Sequence, residues 1–131
     1  MDCNFKMPKR SENSHKGTFG KVLNISGSDF MPGAAGLSSL SALKIGAGMV
    51  VLCSTSRVIS AISAQTKEIV FAPLTDIFAH LKTASVLLIG CGLSTSNEAN
   101  MIFSKVLEQK INIPTIIDAS AKSKSDACLL K

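Results

Sequence analysis

The chain has 131 residues, of which 46% are hydrophobic and 18% are charged, and it carries a formal net charge of +5. This length suits one domain, and the composition excludes a disordered chain, a collagen and a coiled coil. The excess positive charge lies at the two ends, because residues 22–118 hold six basic and six acidic side chains. With no Trp or Tyr and no central basic patch, we expect no nucleic-acid partner.

The four cysteines, at positions 3, 53, 91 and 128, form no CxxC pair, and both histidines lie far from them in the sequence. The residues therefore predict no metal site. Scattered thiols are typical of a reducing compartment, and the N-terminus opens without the apolar core of a signal peptide. Because the longest apolar runs are too short to cross a bilayer, we expect a cytoplasmic protein with no membrane partner.

Predicted strands and helices alternate along the chain. The strands are predicted at 21–26, 49–53, 86–90 and 115–118, with a short extended piece at 68–72. Helices are predicted at 34–46, at 57–64 and in a longer segment that starts at a capping box of Thr95 and Glu98. The buried face of that last helix is indicated by apolar residues at helical spacing, namely Ala99, Ile102, Phe103, Val106, Leu107 and Ile111.

This alternation favours parallel β-α-β units with right-handed crossovers. In such sheets the functional crevice lies beyond the carboxyl ends of the strands. Three polar or glycine-rich segments are expected at that edge, at 27–33, 90–96 and 118–120. Their common placement is the main argument for a binding site that the pattern offers.

The glycine segments are candidate anion-binding loops. The phosphate-loop pattern GxxxxGK[ST] is absent, and the GxG of Gly90 and Gly92 lacks the third glycine of a dinucleotide fingerprint. Glycines between a strand and a helix nevertheless expose backbone N–H groups at a positive helix end, where a phosphate or another anion can bind. A tight turn that only packs is the alternative.

Several single residues also have two interpretations. His15 and Lys16 form a candidate site loop, with an ordinary surface loop as the alternative. Asp118 either orients a ligand or caps the end of its strand. Cys91 is the thiol to test for reactivity, inert packing being the alternative, whereas Cys53 is expected in a strand core.

The sequence resembles the ADP-dependent NAD(P)H-hydrate dehydratases. The motifs that carry the resemblance occur in the family's order. They are SHKGTFGKVL (14–23), Gly27-Ser28, MPGAA (31–35), SAL (41–43), GAG (46–48), GCGL (90–93) and IIDA (116–119). The GCGL loop matches the family's GPGL loop with Cys91 in place of proline. The resemblance therefore covers residues 14 to 119.

The resemblance implies an α/β, ribokinase-like, three-layer fold with a mainly parallel sheet, and a lyase that repairs hydrated NADH and NADPH. ADP would be the co-substrate, with Mg²⁺, and the family implies a homo-oligomer, specifically a tetramer. The implied substrate-binding residues are Gly33, Ala34, Ala35, Gly90, Gly92, Leu93 and Asp118. No catalytic residue is implied here, because the family's later lysine-glycine segment and GTGD-type loop, which holds the expected base, have no match in this sequence.

We therefore expect a truncated member of the family, with weak activity or none on its own. The expected organisation is a polar arm at 1–16, a partial α/β domain at 17–119 and a basic tail at 120–131 that departs from the family's pattern. Two other functions stay open at this point. One is a vitamin-precursor kinase of the same fold, and the other is a non-catalytic binding or oligomer-interface fragment.

Overall fold

A computed structural model of the chain describes residue 6, residues 9–109 and residues 111–118, and in these residues five β-strands alternate with four α-helices. The strands are β1 (Lys21–Ile25), β2 (Met49–Ser54), β3 (Val70–Pro73), β4 (Val86–Ile89) and β5 (Thr115–Ile117). The helices are α1 (Pro32–Ile45), α2 (Ser56–Ser63), α3 (Ile77–Leu81) and α4 (Asn97–Glu108). Short 3-10 turns cover Lys16–Phe19 and Leu74–Asp76. The expected tail at 120–131 lies outside the described residues, as do residues 119 and 120 of the third predicted loop.

The five strands form one parallel sheet in the order β3-β2-β1-β4-β5. This confirms the predicted parallel β-α-β units, and the extended piece predicted at 68–72 is confirmed as β3. The chain builds outward from β1 in one direction and then returns to add β4 and β5 on the other side of β1. The strand order therefore reverses between β1 and β4.

Helices cover the sheet on both faces, which gives three layers. On one face, α3 and α4 pack against alternate strand residues, including Leu23 and Ile25 of β1 and Leu87 and Ile89 of β4. On the other face, α1 and α2 pack around Leu52 of β2. Because β2 lies inside both layers, Val50 to Ser54 are all buried, as its continuous apolar sequence predicts.

Helix α1 begins with Pro32, whose missing N–H and fixed φ suit the first helical position. It ends at Gly46, which has a φ of 122° and closes the helix through its own backbone N–H. The predicted helix at 34–46 is thus confirmed, with its start two residues earlier.

The predicted start of α4 is wrong by one residue. The Ser96 side chain, not that of Thr95, accepts the capping hydrogen bond, and its donor is the Ala99 N–H at 3.2 Å. Ile111 also lies beyond the end of the helix, although its side chain still packs against the core beside α4.

In the part of the chain that the structure describes, no helix is both long and apolar enough to cross a membrane.

Candidate functional site

The loops that follow β1 and β4 are joined directly at the carboxyl edge of the sheet. The Gly27 N–H donates to the Cys91 carbonyl at 2.8 Å, and the Gly90 N–H donates to the Ile25 carbonyl at 3.2 Å. This junction lies at the point where the strand order reverses. In open parallel sheets, that reversal creates the crevice in which ligands bind.

The two glycines of this junction bring the first turn of α1 against both loops. Gly92 has a φ of 64°, and a Cβ added there would lie 2.7 Å from the Ala34 Cβ. Gly27 has a φ of 81°, and its added Cβ would lie 2.8 Å from the Ala35 Cβ. Both the positive φ and the lack of space exclude a side chain at Gly27 and Gly92. Glycine at these positions therefore allows α1 to approach the two loops closely.

Asp118 follows β5 at the same edge and contacts the β4 loop. The Cys91 thiol donates a hydrogen bond to the Asp118 carboxylate at 3.3 Å. Burial raises the pKa of the Cys91 thiol above its ordinary value, and the hydrogen bond and negative charge of Asp118 raise that pKa further. Cys91 is therefore protonated at neutral pH, which favours a hydrogen-bonding role over a nucleophilic one.

A cavity of about 210 Å³ opens at this edge on the side of the sheet that α4 covers. Its polar wall includes two carboxylates, Asp29 and Glu98, and the N-cap residues of α2 and α4, Thr55 and Ser96. The remaining lining residues are Ser28, Phe30, Leu74, Leu93, Ser94, Ala99 and Ile102. The cavity thus combines two helix N-termini and two carboxylates with an apolar wall that suits a ring.

Sequence reasoning did not select Asp29 or Thr55 as site residues. The Thr55 hydroxyl donates to the Asp29 carboxylate at 3.0 Å, so the end of β2 is tied to the loop after β1. Thr55 directly follows β2, and the rule that selected the segments after β1, β4 and β5 applies equally to it. Asp29 lies inside the predicted 27–33 loop, but it belongs to none of the motifs that were used to choose site residues.

Another cavity, of about 220 Å³, lies at the opposite edge of the sheet, between the end of α3 and the segment that leads into β5. It is lined mainly by apolar side chains, with Lys82 as its charged residue. It is remote from the glycine loops, and we therefore place the candidate site at the carboxyl edge.

The structure separates His15 and Lys16 from the other predicted site residues. Both precede β1. The turn that His15 caps and Lys16 begins ends at Gly20, whose carbonyl accepts a hydrogen bond of 3.1 Å from the Gly48 N–H just before β2. This is the amino edge of the sheet, about 15 Å away along β1 at roughly 3.3 Å per residue. The His15 Nδ1 accepts a hydrogen bond from the Gly17 N–H at 3.1 Å, which caps the turn.

The loops predicted from the glycine pattern therefore meet, whereas the HKG segment does not join them. Gly90, Gly92, Leu93, Ala34 and Ala35 lie around one junction, with Asp118 beside it. Gly33 is exposed at the start of α1, and an added Cβ there would meet no heavy atom within 4 Å.

Comparison with known proteins identifies the family. The sequence profile of the NAD(P)H-hydrate dehydratase family matches residues 22–127. A bifunctional NAD(P)H-hydrate repair enzyme of Coxiella burnetii is 33% identical over 118 residues, which are 88% of this chain and 24% of that protein. An ADP-dependent (S)-NAD(P)H-hydrate dehydratase of Bacillus subtilis is 35% identical over 124 residues, which are 90% of this chain and 44% of that protein.

Solved structures show the same fold. A ribokinase-like superfamily protein of Enterococcus faecalis, 28% identical, superposes with a TM-score of 0.81 over 88% of this chain and 42% of its own. The Bacillus subtilis ADP/ATP-dependent NAD(P)H-hydrate dehydratase, co-crystallised with ATP and Mg²⁺, is 33% identical and superposes with a TM-score of 0.74 over 87% of this chain and 42% of its own.

The parallel sheet and its structural neighbour define an α/β protein of the ribokinase-like class, as the family resemblance implies. The chain belongs to the NAD(P)H-hydrate dehydratase family, which confirms the resemblance found in the sequence. It spans less than half of the length of the relatives described above.

Proposed function

We propose that this chain holds the hydrated nicotinamide nucleotide in an ADP-dependent NAD(P)H-hydrate dehydratase. The observation that carries the proposal is the hydrogen-bonded junction of the β1 and β4 loops, found in a chain of this family. Two relatives of this chain, from Bacillus subtilis and Listeria monocytogenes, are ADP-dependent (S)-NAD(P)H-hydrate dehydratases. This chain would contribute substrate binding to that activity.

The start of α1 is the proposed anion-binding element. Its N-cap residue, Met31, makes no side-chain hydrogen bond to the first helical turn within the described residues. The backbone N–H groups of that turn, which includes Gly33 and Ala34, point out of the positive end of a 14-residue helix. A phosphate of the substrate is the group that such an end binds best.

The remaining proposed residues shape the crevice around that anion. Gly90 and Gly92 add no side chain to the β4 loop, Leu93 supplies an apolar surface that is 7% exposed, and Ala35 is buried. Asp118 would orient the ligand through its carboxylate, which also accepts the Cys91 hydrogen bond. These contributions are binding and positioning, which can supply a large part of catalysis.

The chemistry implied by the family is a phosphoryl transfer followed by an elimination. ADP would give a phosphoryl group to the hydrate hydroxyl, leaving AMP; loss of that phosphate and of a proton from the neighbouring ring carbon would then restore the double bond. We assign no catalytic base to this chain, because its sequence has no GTGD-type loop.

No metal ligand is assigned either. Among the residues that the structure describes, no three His, Cys, Asp or Glu side chains form a cluster suited to a metal ion. We derive no step through Mg²⁺, and the use of ADP or ATP is taken from the names of the relatives alone. The tetrameric state and the cytoplasmic location stay predictions.

Thermal unfolding with separate ligands tests the proposal. A ligand that binds only the folded state raises the unfolding midpoint, so we expect hydrated NADH or NADPH to raise it and ADP or AMP alone to leave it unchanged. We also expect no ADP-dependent release of phosphate from the purified chain. A midpoint that responds to ADP and not to the hydrate would contradict the proposal, and measurable turnover would show that the chain carries its own base.

Two matched variants locate the binding. Ala34→Leu places a larger side chain against the Gly92 loop and should abolish the midpoint shift caused by the hydrate. Ser41→Leu makes a similar change on an exposed position about two turns further along α1 and should leave the shift intact. A midpoint shift with the alcohol hydroxyethylthiazole in place of the hydrate would instead favour the kinase alternative.

A further inference from the structure

Cys91 carries the one side chain between the two glycines of the β4 loop. Gly90 and Gly92 flank it, so neither neighbour adds a group to this part of the site. The Cys91 carbonyl accepts a hydrogen bond of 2.8 Å from the Gly27 N–H, which holds the Cys91 backbone at the junction of the β1 and β4 loops. The side chain itself is half-buried. The fold therefore sets the position of the thiol.

The thiol contacts a carboxylate that has no other hydrogen-bond donor among the described residues. The Cys91 Sγ donates to Oδ2 of Asp118 at 3.3 Å. Asp118 is exposed, and its backbone is held by a hydrogen bond of 3.0 Å from its N–H to the Ile89 carbonyl. An exposed aspartate with a fixed backbone still has several side-chain rotamers available. The contact with the thiol selects one of them.

Ser38 of α1 is a second polar group at the thiol. Burial, followed by the effects of Asp118, raises the pKa of Cys91, whereas hydrogen bonding with Ser38 lowers that pKa. The Ser38 hydroxyl is itself held, because it donates to the Ala34 carbonyl at 2.8 Å and accepts from Nδ2 of Asn24 at 2.8 Å. Asn24 is fully buried in β1. The polar surroundings of the thiol are thus tied to the centre of the sheet.

The carboxylate keeps acceptor capacity for a ligand. Its Oδ2 accepts from Cys91, and no donor among the described residues is bonded to Oδ1 of Asp118. A carboxylate offers about four lone-pair sites, so hydroxyl or amide groups of a ligand can still donate to it. A side chain that is already held in one rotamer loses less entropy when the ligand binds. The thiol contact would therefore favour binding without touching the ligand.

We propose that Cys91 is a positioning residue, whose thiol holds the Asp118 carboxylate in the orientation that accepts hydrogen bonds from the hydrated nicotinamide nucleotide. This inference rests on the proposed function, because it requires that Asp118 contacts that ligand. It assigns no nucleophilic or redox role to the thiol. Cys91 acts through Asp118, and donation by a hydroxyl at the same position would serve the same purpose.

Infrared spectroscopy tests the hydrogen bond without any ligand. The S–H stretch of a thiol falls in frequency when the thiol donates a hydrogen bond, and subtracting the spectrum of Cys91→Ala from that of the original chain isolates the Cys91 band. The same subtraction in an Asp118→Ala background gives the band without the carboxylate. We expect a higher frequency in that background, whereas a packing role alone would leave the frequency unchanged.

Titration calorimetry with hydrated NADH tests the consequence for binding. Cys91→Ala removes the donor and should weaken binding about three- to tenfold, which corresponds to the net effect of one hydrogen bond. Cys91→Ser keeps a donor at this position and should stay within about twofold of the original chain. Cys91→Val also lacks a donor and should behave like Cys91→Ala; it replaces that variant if Cys91→Ala does not fold.

Ser41→Ala is the matched control. Ser41 is exposed on α1, about one turn beyond Ser38, and the substitution removes one hydroxyl from the same helix. It should leave both the affinity and the S–H band unchanged. Circular dichroism checks that each variant folds.

Three results would overturn the inference. The first is an S–H frequency of Cys91 that is the same with and without the Asp118 carboxylate. The second is a Cys91→Ala variant that binds hydrated NADH as tightly as the original chain. The third is an equal loss of affinity in Cys91→Ser and Cys91→Ala, which would assign the effect to packing.

Failure of the proposed function gives a different result. The original chain would then not bind hydrated NADH, and the role of Cys91 toward this ligand would fall with that function. The infrared comparison would still decide whether the thiol holds the carboxylate, because it needs no ligand.

Discussion

Ser26, directly after β1, has a buried hydroxyl that makes no hydrogen bond within the described residues. Its side chain is fully buried, and Ser54, at the end of β2 beside it, is 2% exposed. The Ser54 hydroxyl donates to the Ser26 backbone carbonyl at 2.7 Å. The two serines therefore share one environment and differ in whether the hydroxyl is paired, which makes substitution of each by alanine an informative comparison.

We expect Ser26→Ala to raise the free energy of unfolding and Ser54→Ala to lower it. A buried polar group without a partner costs roughly 1–3 kcal/mol, and alanine removes that cost while keeping the Cβ. Loss of the Ser54 hydroxyl removes a bond worth about 1 kcal/mol and deprives a buried carbonyl of its donor, for a total loss of roughly 1–3 kcal/mol. The variants should then differ by at least about 2 kcal/mol, or about 8 °C in unfolding midpoint for a chain of this size.

Urea unfolding followed by far-ultraviolet circular dichroism measures both variants against the original chain. Equal slopes of free energy against urea concentration are required, so that a change in midpoint reports a change in stability. A loss of stability in Ser26→Ala comparable with that in Ser54→Ala would refute the reasoning, since it would show that the Ser26 hydroxyl is hydrogen bonded in solution.

Three further predictions concern the site and its helices. Gly92→Ala should destabilise the chain by roughly 2–4 kcal/mol in urea unfolding, because φ is positive and the added Cβ lies 2.7 Å from that of Ala34. Ser96→Ala should cost about 1 kcal/mol in the same assay by removing the cap of α4. Asp118→Asn should lower the raised pKa of Cys91, because the carboxylate charge that disfavours the thiolate is removed; the pH profile of Cys91 alkylation, followed by mass spectrometry, should shift to lower pH.

Each of these predictions has a control in the same chain. Gly33→Ala adds a Cβ in open space and should cost nothing measurable, so an equal loss there would contradict the argument from close approach. Thr95→Ala should stay within about 0.5 kcal/mol of the original, and a larger loss than in Ser96→Ala would restore Thr95 as the cap. Cys53 is fully buried, and burial is the main cause that raises its pKa to about 11. It should therefore remain unalkylated in both the original chain and the Asp118→Asn variant.

The strands and their parallel arrangement were predictable because each buried strand is a short apolar run followed by a glycine or polar segment. The cap of α4 was not, because Thr95 and Ser96 are both good capping residues. In the structure Ser94, two residues before the cap, has a φ of 74°, and Ser96 is extended immediately before the first helical residue. A positive φ at a serine has no marker in the sequence.

The position of His15 and Lys16 could have been derived from the sequence. Residues that precede the first strand of a parallel sheet enter at its amino edge, and ligand crevices lie at the carboxyl edge. His15 and Lys16 were proposed as a candidate site loop from their residue types, which do not indicate the edge of the sheet at which a segment lies. In this structure, the His15 ring caps a turn that bonds to the start of β2.

The proposed site and the packing of α1 depend on the same small residues, and burial separates their roles. Ala35 and Gly36 are buried, and a Cβ added at Gly36 would lie 3.0 Å from Ile62 of α2. Substitution at these positions should therefore reduce stability whether or not a ligand binds. Gly33 is exposed and Ala34 is half-buried at the crevice. Binding measurements on α1 are consequently informative at Gly33 and Ala34, whereas a loss of binding in an Ala35 or Gly36 variant would first have to be separated from a loss of folding.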